Sequence, residues 1–340
     1  MLILTQEKIH SLQALLEAAS RVVVLGHVHP DGDALGSTTA MALFLKEKWG
    51  KEVTCILPDT PPENLHFILA PAIPCLFFDQ NAQAATEAVQ KADLIILQDC
   101  NAFNRTEGLE EPLKLSSARK VLIDHHLNPD ANAFNLVFST PDISSTCELL
   151  YWILKELGWK PDTLIGPALL AGMTTDTNNF ANSVYPSTFR MASELLDAGV
   201  DRDAILEKIY WCYRDNRVRL MGYMQNEGLH LLPNGAAYMI LTRDIQQRFG
   251  LREGETEGLV NVPLCIGDVR LSLLAKEDQG HFRVSVRSKR GTSAQNLARQ
   301  FFHGGGHENA AGGRIFPEDF SPALGIQAYI EQILKAFLPS

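Results

Sequence analysis

The stretch "VLIDHHLNP" (residues 121–129) decides the fold. Its first half is apolar and reads as a buried strand, while its second half delivers Asp124, His125 and His126 to the strand's end. Such an end is either a charged tip meeting solvent or one corner of a site, and the stretch alone leaves both readings open. Other segments repeat the pattern. "RVVVLGH" (21–27) runs into "GHVHPDGDALGS" (26–37), which carries His27, His29, Asp31 and Asp33 around Pro30 and Gly32. Taken singly, that segment is as well explained as a polar turn. The apolar run "ADLIILQD" (92–99) stops at Asp99, and the helix-like "DTLIGPALLAGMTTDTNNF" (162–180), despite Pro167, ends in a polar cluster with Asp176. Four apolar elements that each deliver Asp or His at the same kind of end are hard to assign to chance.

Between these runs, "ALGSTTAMALFLKEKWG" (34–50) has helical spacing and stops at Gly50, and "EVTCILP" (52–58) reads as another strand. "SSTCELLYWILKELG" (144–158) reads as a helix with a Ser145-x-x-Glu148 capping box and a stop at Gly158. Apolar strands alternating with helices predict an α/β fold with a doubly wound parallel sheet. Ligands bind such sheets at the carboxyl ends of the strands. Carboxylates gathered there raise one another's pKa, and a bound cation removes that cost. A donor set of carboxylates and imidazoles without thiolates disfavours thiolate-rich structural zinc. It suits Mn²⁺ first, with Mg²⁺, Co²⁺ or Fe²⁺ also compatible. The supply of ligands exceeds the need of one ion. Two ions roughly 3.5–4 Å apart and sharing a carboxylate are therefore expected, a device used to split phosphate esters.

The length of 340 residues points to two domains. Hydrophobic content of 46% and charged content of 21% are ordinary for a globular protein, and no apolar run approaches membrane-spanning length. The opening "MLILTQEKIH" lacks the layout of a signal peptide, and the six cysteines form no Cys-x-x-Cys pair. A reducing cytoplasm is the expected setting. The net charge of −10 argues against coating long nucleic acid and leaves a small phosphorylated substrate open. The pattern changes after about residue 200. Residues 203–229 read as mostly helical and charged; an apolar helix surface around 203–225 suits a homodimer or packing between domains equally. "AAYMILTRD" (236–244), "VRLSLLAKE" (269–277) and "HFRVSVRSK" (281–289) follow as strands of a mixed or antiparallel sheet. A helix at 293–302 then leads into "HGGGHENAAGG" (303–313). Domains at 1–215 and 225–340 are expected.

"GHVHPDGDALGS", "LQDCN", "LIDHHLNP" and "GMTTDTNNF", in that order, resemble the motifs of the DHH phosphoesterases, and the likeness covers nearly the whole chain. The resemblance implies that His27 and Asp31 hold one metal, that Asp33, His125 and Asp176 hold the other, and that Asp99 bridges them. It implies that His126 faces the substrate phosphate as an acid or electrophilic partner, that Asp124 orients a ligand histidine from behind, and that a metal-activated water attacks phosphorus. Two departures stand out. His29 occupies a position where relatives often carry a small amide; it could support a ligand or face the substrate, and a histidine hydrogen-bonded within its turn is the favoured expectation. Asn178 and Asn179 stand where a glycine is frequent.

The second half resembles the DHH-associated C-terminal domain in "SVRSK" followed by "GGGHENAAGG". Segment 276–314 carries seven basic residues against three acidic ones, a local excess within an acidic chain. Arg287, Ser288 and His307 are the candidate substrate contacts, with Gly305 and Gly306 allowing close backbone approach. Size and spacing are closest to the oligoribonuclease/pAp phosphatase (nanoRNase) branch. That branch implies hydrolysis of short RNA to mononucleotides and removal of the 3′-phosphate of 3′-phosphoadenosine 5′-phosphate. Linear or cyclic dinucleotides, polyphosphate and pyrophosphate are alternative substrates. A non-catalytic metal- and nucleotide-binding sensor is an alternative of another class, against which the complete ligand set counts.

Overall fold

A computed structural model describes residues 4–252 and 254–338 of the chain, which divides into two compact units, 1–212 and 213–340. In the first unit α1 (Gln6–Ala18) precedes β1 (Arg21–Leu25), α2 (Gly32–Trp49), β2 (Glu52–Leu57), β3 (Cys75–Phe77) and α3 (Ala82–Lys91). Then come β4 (Leu94–Gln98), α4 (Glu110–Leu115), β5 (Arg119–Asp124), β6 (Leu136–Ser139), α5 (Thr146–Glu156), α6 (Gly166–Asp176), α7 (Pro186–Asp197) and α8 (Arg202–Tyr210). The sheet order is β3-β2-β1-β4-β5-β6, and every pairing is parallel. This is the doubly wound order, with its switch point between β1 and β4.

Alternation along each strand separates two cores. Val22, Val24, Leu94, Ile96, Val121 and Ile123 pack with α1, α2, α5 and α6, while Val23, Leu25, Ile95, Leu97 and Leu122 pack with α3 and α4. Both faces of the sheet are therefore buried, which is why its strands read as continuous apolar runs. Each such side chain contributes ~1.5–3 kcal/mol by leaving water.

Several boundaries differ from the sequence reading for identifiable reasons. The helix after β1 starts at Gly32, because the Asp31 carboxylate accepts from the Asp33 and Ala34 amides and caps it. The segment 162–180 is helical only from Gly166 to Asp176, with Pro167 in the first turn, where no amide donor is needed. The expected capping box of α5 is half formed. Ser145 accepts from the Glu148 amide, but the Glu148 carboxylate turns to Ser144 and Thr188 instead. The segment 203–229 breaks after α8, and the division between units falls there. Strands β3 and β6, at three and four residues, were too short for their alternation to be read.

The second unit contains α9 (Asp215–Asn226), β7 (Leu229–Leu231), β8 (Ala236–Leu241), α10 (Arg243–Arg248), β9 (Leu271–Glu277) and β10 (Phe282–Ser288). It closes with α11 (Ala294–Phe301), β11 (Gly305–Gly306), β12 (Ala310–Ile315) and α12 (Gly325–Phe337). Its sheet, β11-β12-β10-β9-β8-β7, is mixed: β8 and β9 run parallel and the other pairs antiparallel. Helices α11 and α12 cover one face through Leu297, Ile330 and Leu334, joined by Phe302 just after α11.

Helices α2 and α6 meet through glycine. A Cβ on Gly36 would lie 2.5 Å from the Ala168 carbonyl oxygen, and one on Gly172 would lie 2.3 Å from Cys147 Sγ and 2.9 Å from the Gly32 carbonyl oxygen. In an open helix Gly→Ala stabilises by about 1 kcal/mol, whereas overpacking costs about 1–3 kcal/mol. Gly172→Ala is therefore expected to lower the urea midpoint. Gly222→Ala in α9, where nothing lies within 4 Å of the added carbon, is expected to raise it.

Candidate active site

The loops that follow β1, β4 and β5 leave the same edge of the sheet, on either side of the switch point. His27 follows β1, Asp99 follows β4, and Asp124 ends β5 with His125 and His126 directly after it. Asp31 and Asp33 lie at the N-terminus of α2, and Asp176 is the last residue of α6. The structure brings these residues together in three groups whose ligand atoms lie within 4.8 Å of one another: His27, Asp31 and Asp99; Asp33, His125 and Asp176; and Asp99, Asp124 and His126.

Asp99 belongs to two sides at once. Its Oδ2 lies 3.4 Å from His27 Nε2, and its Oδ1 lies 3.5 Å from His125 Nε2. Thr146 Oγ1 donates to the same Oδ1 at 3.1 Å. The Asp99 backbone is left-handed, with φ of 54°, a conformation that costs of order 1–3 kcal/mol in a residue other than glycine. On the other side, His125 Nε2 also lies 3.5 Å from Asp176 Oδ2 and 3.9 Å from Asp33 Oδ2. Asp33 is fully buried, and its two carboxylate oxygens accept from the Thr146 and Cys147 amides, at 2.6 and 2.9 Å, at the N-terminus of α5. Sequence reading missed this use of α5, since backbone donors carry no residue signature.

The tautomer of His27 tests whether these groups suit a metal. Its Nδ1 lies 2.7 Å from the Val28 carbonyl, which only accepts, so Nδ1 carries the proton. In the neutral ring Nε2 then turns its lone pair toward the carboxylates of Asp99 and, at 3.9 Å, Asp31, and it can donate to Asp99 only when the ring takes up a second proton. Acceptors facing acceptors in a buried site repel. A divalent cation among them resolves the conflict, and oxygen and imidazole donors suit Mn²⁺-type ions. The same conflict governs protonation. Burial, then the Asp99 and Asp176 carboxylates, push Asp33 well above the ordinary carboxylate range. Burial opposes ionisation of Asp99 too, yet the His27 hydrogen bond and the surrounding imidazoles hold it well below that range. His27 is raised: burial acts downward, and the Asp99 hydrogen bond with the Asp31 charge overcomes it. His27, Asp31, Asp33, Asp99, His125 and Asp176 are thus placed so that they could hold divalent metal.

His126 is set differently. Its Nδ1 lies 2.8 Å from Asp124 Oδ1, and its amide donates to Asp124 Oδ2. The expectation that Asp124 orients a ligand histidine is corrected in this respect: Asp124 grips His126, because the residue two positions on folds back over the carboxylate. The carboxylate thus fixes the orientation of the His126 ring through Nδ1. His29 is hydrogen-bonded as expected, but to Asp59 in the loop after β2: its amide lies 2.6 Å and its Nδ1 3.1 Å from the Asp59 carboxylate.

In the second unit, Arg287 lies half-buried on β10. Ser288 is buried; its hydroxyl donates to the Thr292 carbonyl and accepts from Asn309, so its side chain closes the turn after β10 instead of being presented to a substrate. His307 heads the tight turn between β11 and β12, with its amide donating to the Ala310 carbonyl. The glycines divide into two kinds. A Cβ on Gly306 would lie 2.6 Å from the Ala310 carbonyl oxygen, so strand packing demands glycine there, whereas Gly305 has only Arg299 Nε at 4.0 Å.

A model of the DHH family N-terminal domain matches residues 21–201, and one of the DHHA1 domain matches residues 236–335. The chain belongs to the DHH family and is a hydrolase of its phosphoesterase class. Among its relatives is the bifunctional oligoribonuclease and PAP phosphatase NrnA of Bacillus subtilis, 29% identical over 321 residues that cover 92% of this chain and 95% of that protein. The protein of the same name from Thermus thermophilus is 28% identical over 334 residues, covering 97% and 93%. The crystal structure of an exopolyphosphatase-related protein from Bacteroides fragilis matches with a TM-score of 0.91 and 33% identity, over 98% of this chain and 97% of that one.

Asp124→Asn tests the His126 arrangement. An amide in place of the carboxylate weakens the hold on Nδ1 and is expected to lower turnover about 10–100-fold, the usual range for groups that orient active-site side chains. Bound metal, measured by elemental analysis of the purified protein, is expected to stay at the unsubstituted level.

Proposed function

We propose that this protein hydrolyses short oligoribonucleotides to mononucleotides and removes the 3′-phosphate of 3′-phosphoadenosine 5′-phosphate, using two divalent ions with Mn²⁺ foremost. The observation that carries the hydrolytic reading is the placement of Asp99, one oxygen toward the His27 group and the other toward the His125 group. The substrate class rests on the activities for which the Bacillus subtilis and Thermus thermophilus relatives are named, proteins that align over nearly their whole length. Ions held there would supply Lewis-acid polarisation of a phosphoryl oxygen and a water of lowered pKa.

The chain's own residues do the rest. The Thr146 and Cys147 amides fix the Asp33 carboxylate, and Thr146 Oγ1 fixes Asp99. Asp124 holds Nδ1 of His126 and thereby orients its ring as the proton donor to a phosphoryl or leaving-group oxygen on which negative charge develops. Arg287, His307 and the open backbone at Gly305 are the proposed contacts to the nucleotide. A second reading, hydrolysis of inorganic polyphosphate, is favoured by the likeness to the exopolyphosphatase-related protein of Bacteroides fragilis.

A substrate panel with Mn²⁺ separates them. The labelled dinucleotide is expected to be cleaved faster than long RNA or polyphosphate. No cleavage of any RNA by metal-loaded protein would sink the proposal. In the same assay Asp99→Ala is expected to lower both metal content and turnover. His126→Ala is expected to keep its metal and lose turnover by about 10²–10⁴-fold, the range for a general acid.

A further inference from the structure

Helix α6 ends on Asp176, and the chain that follows it is strained. Asn178, Asn179 and Phe180 are all left-handed, with φ of 48°, 56° and 65°. Asparagine tolerates that region, but a bulky aromatic residue rarely enters it. Hydrogen bonds to the end of α6 hold the turn: the Asn179 amide donates to the Thr174 carbonyl at 2.8 Å, and the Phe180 amide donates to Thr177 Oγ1 at 3.0 Å. Arg202 Nη2, from the start of α8, donates to Asn179 Oδ1 at 2.9 Å. Strain of this kind persists only where the surrounding contacts over-determine it, and it collects at ligand sites.

What the turn positions is an aromatic ring. Phe180 is half-buried against the core of the first unit, and Phe189 of α7 stacks on it with ring centroids 5.4 Å apart and planes 16° apart. Phe189 is 54% exposed, whereas α7 turns Met191, Ala192 and Leu195 inward. Its exposed chain neighbour Arg190 and the exposed Asn178 and Asn182 of the turn are polar, so this ring meets solvent among polar side chains. Two routes tie the pair to the acidic cluster. Phe180 lies one tight turn beyond Asp176. Phe189 follows Thr188, whose hydroxyl donates to Glu148 at 2.6 Å, and Glu148 directly follows Thr146 and Cys147, whose amides hold Asp33. The Tyr185 hydroxyl, just before α7, donates to the Pro141 carbonyl after β6 at 3.4 Å. Strand β6 runs parallel to β5, so the start of α7 stands at the sheet edge that carries the acidic cluster.

We propose that Phe189, backed by Phe180, is a stacking platform for a nucleobase of the substrate, beside the acidic cluster. The inference rests on the nucleotide reading above. Every base has a flat π-face, so a fixed ring holds any of them by stacking without reading a hydrogen-bonding edge. The inner ring and the pinned turn set the plane of the platform in advance, so little order is lost when a base settles on it. The platform therefore favours nucleotides over phosphates that carry no base, and it does so without selecting a sequence.

The test uses the full-length protein with Mg²⁺ and 2-aminopurine riboside 5′-monophosphate, a fluorescent nucleotide without a phosphodiester bond, whose emission changes when its base stacks. Ribose 5-phosphate, which has no base, is the second probe and is followed by calorimetry. Wild type is expected to bind the nucleotide saturably with altered emission. Phe189→Ala, checked for an unchanged far-UV CD spectrum, is expected to bind the nucleotide about tenfold more weakly or worse, and ribose 5-phosphate as wild type does. Phe189→Tyr, which keeps a flat ring, is expected to bind both as wild type does. Leu196→Ala, which removes another exposed apolar side chain of α7, is expected to change neither. The proposal is overturned if wild type does not saturate with the nucleotide, if Phe189→Ala binds it as tightly as wild type, if ribose 5-phosphate binding falls equally, or if Phe189→Tyr behaves like Phe189→Ala. Hydrolysis enters none of these readings. Cleavage of the dinucleotide in the RNA panel with unchanged nucleotide binding by Phe189→Ala strikes the platform alone. No cleavage of RNA with Phe189-dependent nucleotide binding strikes the hydrolytic reading alone.

Discussion

One carboxylate holds the first unit's chemistry together. Asp99 sits at the switch point of the sheet, buried and in a strained backbone conformation, with an imidazole nitrogen facing each of its oxygens. Burial would ordinarily protonate such a group. The parallel sheet makes the arrangement attainable, because the connections after β1, β4 and β5 all leave from one edge, and the order reversal between β1 and β4 opens a crevice there. His27 and Asp99 face each other across that crevice.

The helices complete the set through their packing. Helix α2 carries Asp31 and Asp33 at its start, α6 carries Asp176 at its end, and their glycines let the two axes approach until backbone meets backbone. The two helix ends treat their carboxylates differently. Asp33 accepts from the amides at the start of α5, where a negative charge is favoured. Asp176 occupies the last turn of α6, where the helix dipole disfavours it by about 0.3–1 kcal/mol. A carboxylate kept at the wrong end of a helix, beside other carboxylates, is consistent with a site whose electrostatic balance includes a cation.

Legibility in the sequence followed the physics of each feature. Continuous apolar runs ending in Asp or His were readable because a strand buried on both faces leaves no alternation, and the doubly wound sheet follows from that. All six metal-ligand candidates were readable because their side chains carry the chemistry. What was hidden is what backbone groups do. The Thr146 and Cys147 amides that hold Asp33 and the Val28 carbonyl that sets the His27 tautomer have no residue-type signature. Glu148 shows the converse error: its spacing from Ser145 matches a capping box, yet the fully buried carboxylate binds Ser144 and the distant Thr188, a tertiary partner that no local rule could supply.

The glycine-rich segment of the second unit shows how one signal divides. Read along the chain, three consecutive glycines suggest backbone bared for an anion. In three dimensions, a Cβ on Gly304 would lie 1.9 Å from the Gly312 carbonyl oxygen, and one on Gly313 would lie 2.2 Å from that of Phe302. Most of these glycines therefore exist so that β11, β12 and the end of α11 can lie against one another, and Gly305 alone of the three keeps open space. The basic side chains of β10, by contrast, are placed by strand register. Shifting β10 by one residue would send Arg283 and Arg287 into the core and bring Val284 and Val286 to the surface. Core packing against α11 and α12 thus forbids the slip, and the hydrophobic face of the sheet sets the geometry of the cationic one.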